Sequence, residues 1–127
     1  MTNIFLDVNE ARELSRRVLE STKTKVKKEL ISELPGRISR NAKRGELFVA
    51  HYTDHFSIVK TIYYVKAVKE IKEQLINKGY HVESFISEYN GVYNSIGILI
   101  CWDIESLKND PYSLAKYEEH KADGTIF

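Results

Sequence analysis

The chain has 127 residues, 43% of them hydrophobic, and its 19 Lys and Arg nearly balance 18 Asp and Glu for a formal charge of +1. That size and composition fit one globular domain over residues 1–127 with a modest core, and the near-neutral charge excludes a global attraction to nucleic acid or anionic membrane. The longest apolar run is far short of the roughly 20 residues that cross a bilayer, and nothing at the N-terminus resembles a signal peptide. Cys101 is the only cysteine, so no internal disulfide forms and a reducing cytoplasm is the expected setting.

The first predicted element is a long helix within residues 1–34, capped by Asp7 or Asn9, with Glu10 and Glu13 suited to its positive end. Val8, Ala11, Leu14 or Ser15, Val18, Thr22, Val26, Leu30 and Leu34 form a narrow apolar stripe, flanked by a basic face with Arg12, Arg16, Arg17, Lys23, Lys25, Lys27 and Lys28. Leu34-Pro35-Gly36 predicts a break, because proline disfavours helical geometry in the residue before it. A short helix from Arg37 to Arg44 follows, with Ile38 and Ala42 inward and Gly45 at its end.

Residues 36–103 read as an α/β core. Glu46 to Tyr52 is a strand, and a helix capped by Asp54 or Ser57 turns Ile58, Ile62, Val65, Val68, Ile71 and Leu75 inward before Gly79 stops it. Tyr80 to Tyr89 and Val92 to Trp102 are strands joined at Asn90-Gly91, a type I′ turn signal. Ser95 to Trp102 is almost continuously apolar, the pattern of a strand covered on both faces. A two-residue turn sets Val82 opposite Leu99 and Phe85 opposite Ile96. Tyr80, Val82 and Ile86 then share one side with Leu99 and Cys101, and Phe85 shares the other with Ile96, Ile98, Ile100 and Trp102.

The expected fold class is α+β: a long N-terminal helix, then strand-helix-strand-strand in a three-stranded mixed sheet with the last strand central, and a short C-terminal helix. The sheet's second face needs a cover, either the first helix or a second copy, and the long thin seam of that helix predicts a homo-oligomer. Residues 104–127 hold the C-terminal helix and tail, started by Asp110-Pro111, running from Tyr112 to Lys121 and either docking weakly or carrying a contact.

Chemical signals are sparse. His51-Tyr52-Thr53-Asp54-His55 holds two histidines and a carboxylate, but the first histidine ends a strand and the second begins a loop, so convergence on a metal is not implied, even with His81 and His120. Cys101 inside a central strand reads as an inert buried thiol. Gly36 and Gly45 do not make a phosphate loop, and no cofactor signature is present. Catalysis is therefore not expected. Arg37, Arg40, Lys43 and Arg44 form a dense cationic cluster that reads either as a solvated basic turn or as a site for a small anionic ligand, and Tyr52, Tyr89 and Tyr93 at strand ends either cap the core with their hydroxyls in water or stack against such a ligand.

Gly36-Arg37-Ile38 to Arg44-Gly45, Ile76-Asn77-Lys78-Gly79-Tyr80-His81-Val82 and Ile98-Leu99-Ile100-Cys101-Trp102 together resemble the small α/β proteins of unassigned function found in tailed bacteriophages. The likeness covers about residues 36 to 103 and rests on structural motifs, so it carries over no functional residue. It implies a phage or prophage origin, the host cytoplasm, and action by binding: inhibiting a host enzyme, sequestering a nucleotide signal of host defence, or building the virion.

Three readings follow in order. The first is an oligomeric protein that holds a small anionic ligand such as a nucleotide signal, in a pocket where the four cations and the strand-end tyrosines converge across a subunit boundary. The second is a host-protein inhibitor or virion component using the first helix and the tail, which predicts an exposed apolar patch. The third is nucleic-acid binding through the basic helix face, with steep salt dependence.

Overall fold

The computed structural model describes residues 5–122 and 124–127; Asp123, just past the last predicted helix, lies outside them. Helix α1 (Val8–Lys43) is a single element of 36 residues, about 54 Å long at 1.5 Å per residue. Asp7 caps it, its carboxylate accepting from the Glu10 N–H at 2.9 Å. The predicted break at Leu34-Pro35-Gly36 does not occur, and Pro35 sits inside the helix. An interior proline removes one hydrogen bond and costs about 3 kcal/mol. Here Leu30 and Leu34 before it and Ile38 after it all pack into the core, and burial on both sides offsets that cost and carries the helix through. Pro35→Ala restores the missing donor while keeping this packing, so it is expected to stabilise the protein by about 1 kcal/mol or more, read as a higher Tm in a thermal melt.

β1 (Phe48–Tyr52), β2 (Phe56–Ser57), β3 (His81–Tyr89), β4 (Tyr93–Cys101) and β5 (Thr125–Ile126) form one five-stranded sheet in the order β1-β4-β3-β5, with β2 also on β4. Every pairing is antiparallel. The last long strand is central as expected, and β1 and β3, each antiparallel to it, run parallel to one another on its two sides. The three-stranded mixed sheet is corrected to a five-stranded antiparallel one, because β2 and β5 are too short to show a strand period in sequence.

The hairpin loop holds three residues, Asn90, Gly91 and Val92, between the paired Tyr89 and Tyr93, with φ of 55° at Asn90 and 68° at Gly91. One extra loop residue shifts the register: Val82 faces Ile100 and Phe85 faces Gly97, in place of Leu99 and Ile96. A one-residue slip exchanges faces, so Val82 and Ile86 join Ile96, Ile98 and Ile100, while Phe85 joins Leu99 and Cys101. Each apolar set then meets its own cover.

Helix α2 (Thr61–Asn77) follows a 3-10 turn over Ile58–Lys60. With α1 it covers the Ile98 face through Val26, Leu30, Leu34, Ala67, Val68 and Ile71. Ile58 and Ile62, expected inward, are exposed, because the 3-10 turn puts Ile58 out of phase with the helix. The opposite face is covered by neither α1 nor a second copy. It lies under α3 (Ile104–Lys108) and α4 (Pro111–Glu119), which bury Leu107 and Tyr117 against Phe85, Leu99 and Cys101. The weak docking expected beyond Asp103 is thus overturned, and one C-terminal helix becomes two. Asp103 and Asp110 cap them, each carboxylate accepting from the backbone N–H and hydroxyl of a serine three residues on. The Tyr117 hydroxyl donates to the Glu83 carboxylate, which also accepts from Lys121 at 3.2 Å. At the C-terminal end, Lys72 and the fully buried Ser84 both donate to the Phe127 carbonyl.

The N-terminal third of α1 stands clear of this body. From Val8 to Val18 every residue except Glu13 is exposed, and burial in the core begins at Val26. Among the described residues, no helix is long and apolar enough to cross a membrane.

Candidate functional site

β1 alternates its side chains, so Val49 and His51 face α1 and α2 while Phe48, Ala50 and Tyr52 face the other way. His51 is 7% exposed, and Arg37 Nη1 of α1 donates to its Nδ1 at 2.8 Å. A guanidinium has donors only, so Nδ1 carries the lone pair and the proton is assigned to Nε2. Nε2 lies 3.6 Å from the Glu33 carboxylate. Burial first, and then the Arg37 charge, hold the His51 pKa below the ordinary imidazole value, against the opposite pull of Glu33 and Asp54. His51 is therefore a neutral donor whose one lone pair is already engaged.

A polar cleft of about 270 Å³ borders this ring. Lys25, Glu29 and Glu33 of α1 form one wall, and Thr53, Asp54, Lys60 and Tyr64 form the other. Tyr64 stacks on Phe56 with ring centroids 3.8 Å apart. Burial, with the negative charges of Glu29 and Asp54, raises its hydroxyl pKa, so it enters the cleft as a donor.

The structure gathers the predicted cations and disperses the tyrosines. Arg37, Arg40 and Arg44 stand at i, i+3 and i+7 on one side of α1, with Lys43 beside them. Among the described residues no carboxylate forms an ion pair with any of the four. Arg40, Lys43 and Arg44 are exposed at the helix's negative end, where cations are stabilising in their own right. Tyr52 borders the cleft, yet its hydroxyl pairs with His120 Nδ1 at 2.6 Å and its ring meets Phe85 edge-on, both on the α4 side. Tyr89 and Tyr93 pair at the hairpin tip, with Tyr89 stacked on His55. Tyr93 lies five residues along β4 from Ile98, the partner of His51, a distance of about 17 Å. Within one chain the cations and the tyrosines do not share a pocket, because Tyr89 and Tyr93 lie at another end of the sheet and Tyr52 turns to its other face.

The histidines are also apart: His51 is on Arg37, His55 on Tyr89, His120 on Tyr52, and His81 3.7 Å from Glu83. Among the described residues no group of three or more His, Cys, Asp or Glu side chains could hold a metal. Cys101 lies in the core on the face opposite His51, and burial raises its thiol pKa, so no thiolate–imidazole pair exists. Sequence reasoning missed Glu29, Glu33, Lys60 and Tyr64. Glu33 and Arg37 are one turn apart, a signal that was available, but a helix broken at Pro35 separates them. No protein family, curated protein or solved structure matches this chain.

Proposed function

We propose that this chain is a non-catalytic, phage-type binding protein that sequesters a nucleotide in the host cell, its phosphates on Arg37, Arg40 and Arg44 and its nucleoside over His51. The observation that carries this reading is Arg37. One of its five N–H donors is engaged by a neutral ring, and no carboxylate of the described residues pairs with it; that ring, His51, lines the polar cleft. Unspent guanidinium donors suit phosphate oxygens. Glu29, Glu33 and Asp54 repel phosphate from the cleft itself and accept from ribose hydroxyls or exocyclic amines, so the charge pattern orients the ligand. With its lone pair held by Arg37, His51 can donate to a ligand but not take a proton from it, which supports binding without catalysis. The likeness of residues 36–103 to small phage proteins supports the setting.

A thermal-shift screen with mononucleotides, triphosphates and cyclic dinucleotides tests this. A ligand at about 100 times its Kd should stabilise the folded state by about 2.7 kcal/mol, several degrees in Tm. The matching unphosphorylated nucleoside should give little shift, and Arg40→Ala with Arg44→Ala should remove most of it, since both residues are exposed and outside the core. A flat screen, or an undiminished shift in that double variant, contradicts the reading.

A further inference from the structure

Glu29, Glu33, Arg37, Arg40 and Arg44 stand at i, i+4, i+8, i+11 and i+15 along α1, which at about 100° per residue puts all five within one quarter of the helix circumference. The stripe is acidic in the cleft and basic beyond it. Glu33 and Arg40 are about 10.5 Å apart along the axis, so a ligand lying on the stripe meets acceptors at one end and phosphate-binding donors at the other. The acidic end also holds a buried donor. His51 is 7% exposed and lines the cleft; its Nδ1 is taken by Arg37, and its Nε2 stands 3.6 Å from a Glu33 oxygen, beyond hydrogen-bond length. Nε2 is not closed off from solvent, and among the described residues no other side chain pairs with Glu33. That spacing suits two side-by-side bonds, one from Nε2–H and one to the carboxylate, with neighbouring atoms of a single planar ring.

We propose that the cleft selects guanine among the bases, His51 Nε2–H donating to O6 while the two Glu33 oxygens accept from N1–H and the exocyclic amine. This selectivity rests on the nucleotide reading above and names the nucleotide. Guanine is the base that sets one acceptor and two N–H donors in a row, so it uses the His51 donor and both carboxylate oxygens at once. Adenine and cytosine offer a single amine beside a ring acceptor and leave one Glu33 oxygen unused. Uracil places a carbonyl on each side of its one N–H, and the carboxylate repels both. A two-point contact to a charged carboxylate is the strong, directional form of hydrogen bond. Because burial and the Arg37 charge keep the His51 ring neutral, it presents one donor to the base and no charge. The phosphates then follow the stripe to Arg37, Arg40 and Arg44.

Calorimetric titration of the full chain with GTP, ITP and ATP tests the selectivity. ITP keeps O6 and N1–H but lacks the exocyclic amine, so it should bind about tenfold more weakly than GTP, and ATP about a hundredfold more weakly. Glu33→Gln replaces one acceptor by a donor and should bring GTP and ITP to nearly equal affinity; Glu33 is exposed, so the melting curve of the free protein should be unchanged. Arg40→Ala, away from the base, should weaken all three alike. Equal binding of the three, a preference for ATP, or a GTP preference that survives Glu33→Gln overturns guanine selection and leaves the nucleotide reading standing. Failure of all three to bind overturns both.

Discussion

Gly97→Ala is expected to destabilise the fold by about 1–3 kcal/mol, the range for forcing extra volume into a packed core. Gly97 lies in the middle of β4 directly opposite Phe85 of β3, and a β-carbon there would overlap the Phe85 ring. The ring has nowhere to go. Phe85 is 1% exposed, Tyr52 meets it edge-on at 5.8 Å, and on another side Gly124 leaves space that a β-carbon would fill at 2.6 Å. Two glycines from different segments thus make the slot in which one aromatic ring joins the β4 face to the tail. Urea unfolding should show a lower midpoint with an unchanged slope. Phe85→Leu in the Gly97→Ala background should cost less than the two changes added separately, because the smaller side chain relieves the overlap. A Gly97→Ala protein as stable as the parent would mean that the β3–β4 register is wrong.

Tyr117→Phe is expected to cost about 1.5–3 kcal/mol at neutral pH, the range for a hydrogen bond to a charged partner. Tyr117 is 2% exposed, and its hydroxyl ties α4 to Glu83 on β3. Burial pushes the Glu83 carboxyl pKa up, but the Tyr117 and Lys121 hydrogen bonds and the Lys121 and His81 charges outweigh it and hold the value below 4.5. A carboxyl depressed on folding contributes stability above its unfolded pKa and loses it as pH falls through the folded value. The gap between parent and Tyr117→Phe should therefore be steady at neutral pH and close as the solution is acidified below 4.5. On the alkaline side burial and Glu83 raise the Tyr117 pKa above 10.0. That contribution is full below 10.0 and is lost as pH rises beyond it, a loss the Tyr117→Phe protein lacks. Parallel stability curves across the acid range would show that the pair does not couple.

The elements with strong periodicity were legible in the sequence. A cap at Asp7 or Asn9, which the fold resolves to Asp7, the apolar run of β4, its central place and the helix stopped near Gly79 all follow from local chemistry and are present in the fold. Pro35 misled because its cost is local while the compensating burial of Leu34 and Ile38 is tertiary. The hairpin misled because Asn90 and Gly91 suit a two-residue and a three-residue loop alike, and only the matching of Ile96, Ile98 and Ile100 with Val82 and Ile86 selects between them. Of the candidate site, the cationic cluster at Arg37 was legible as a run in sequence. Its contact with His51, and the wall built by Glu29, Glu33, Lys60 and Tyr64, depend on how α1 lies along β1, which no local pattern encodes.

Chemical-shift mapping of labelled protein titrated with a phosphorylated nucleotide tests the binding account most directly. The largest changes are predicted at the Arg37 and Arg40 side-chain nitrogens, the His51 ring and the backbone amides of Thr53 and Lys60, with Tyr89 and Tyr93 at the hairpin tip unmoved. Changes centred on the hairpin tip or on α4, with Arg37 and His51 silent, would contradict it.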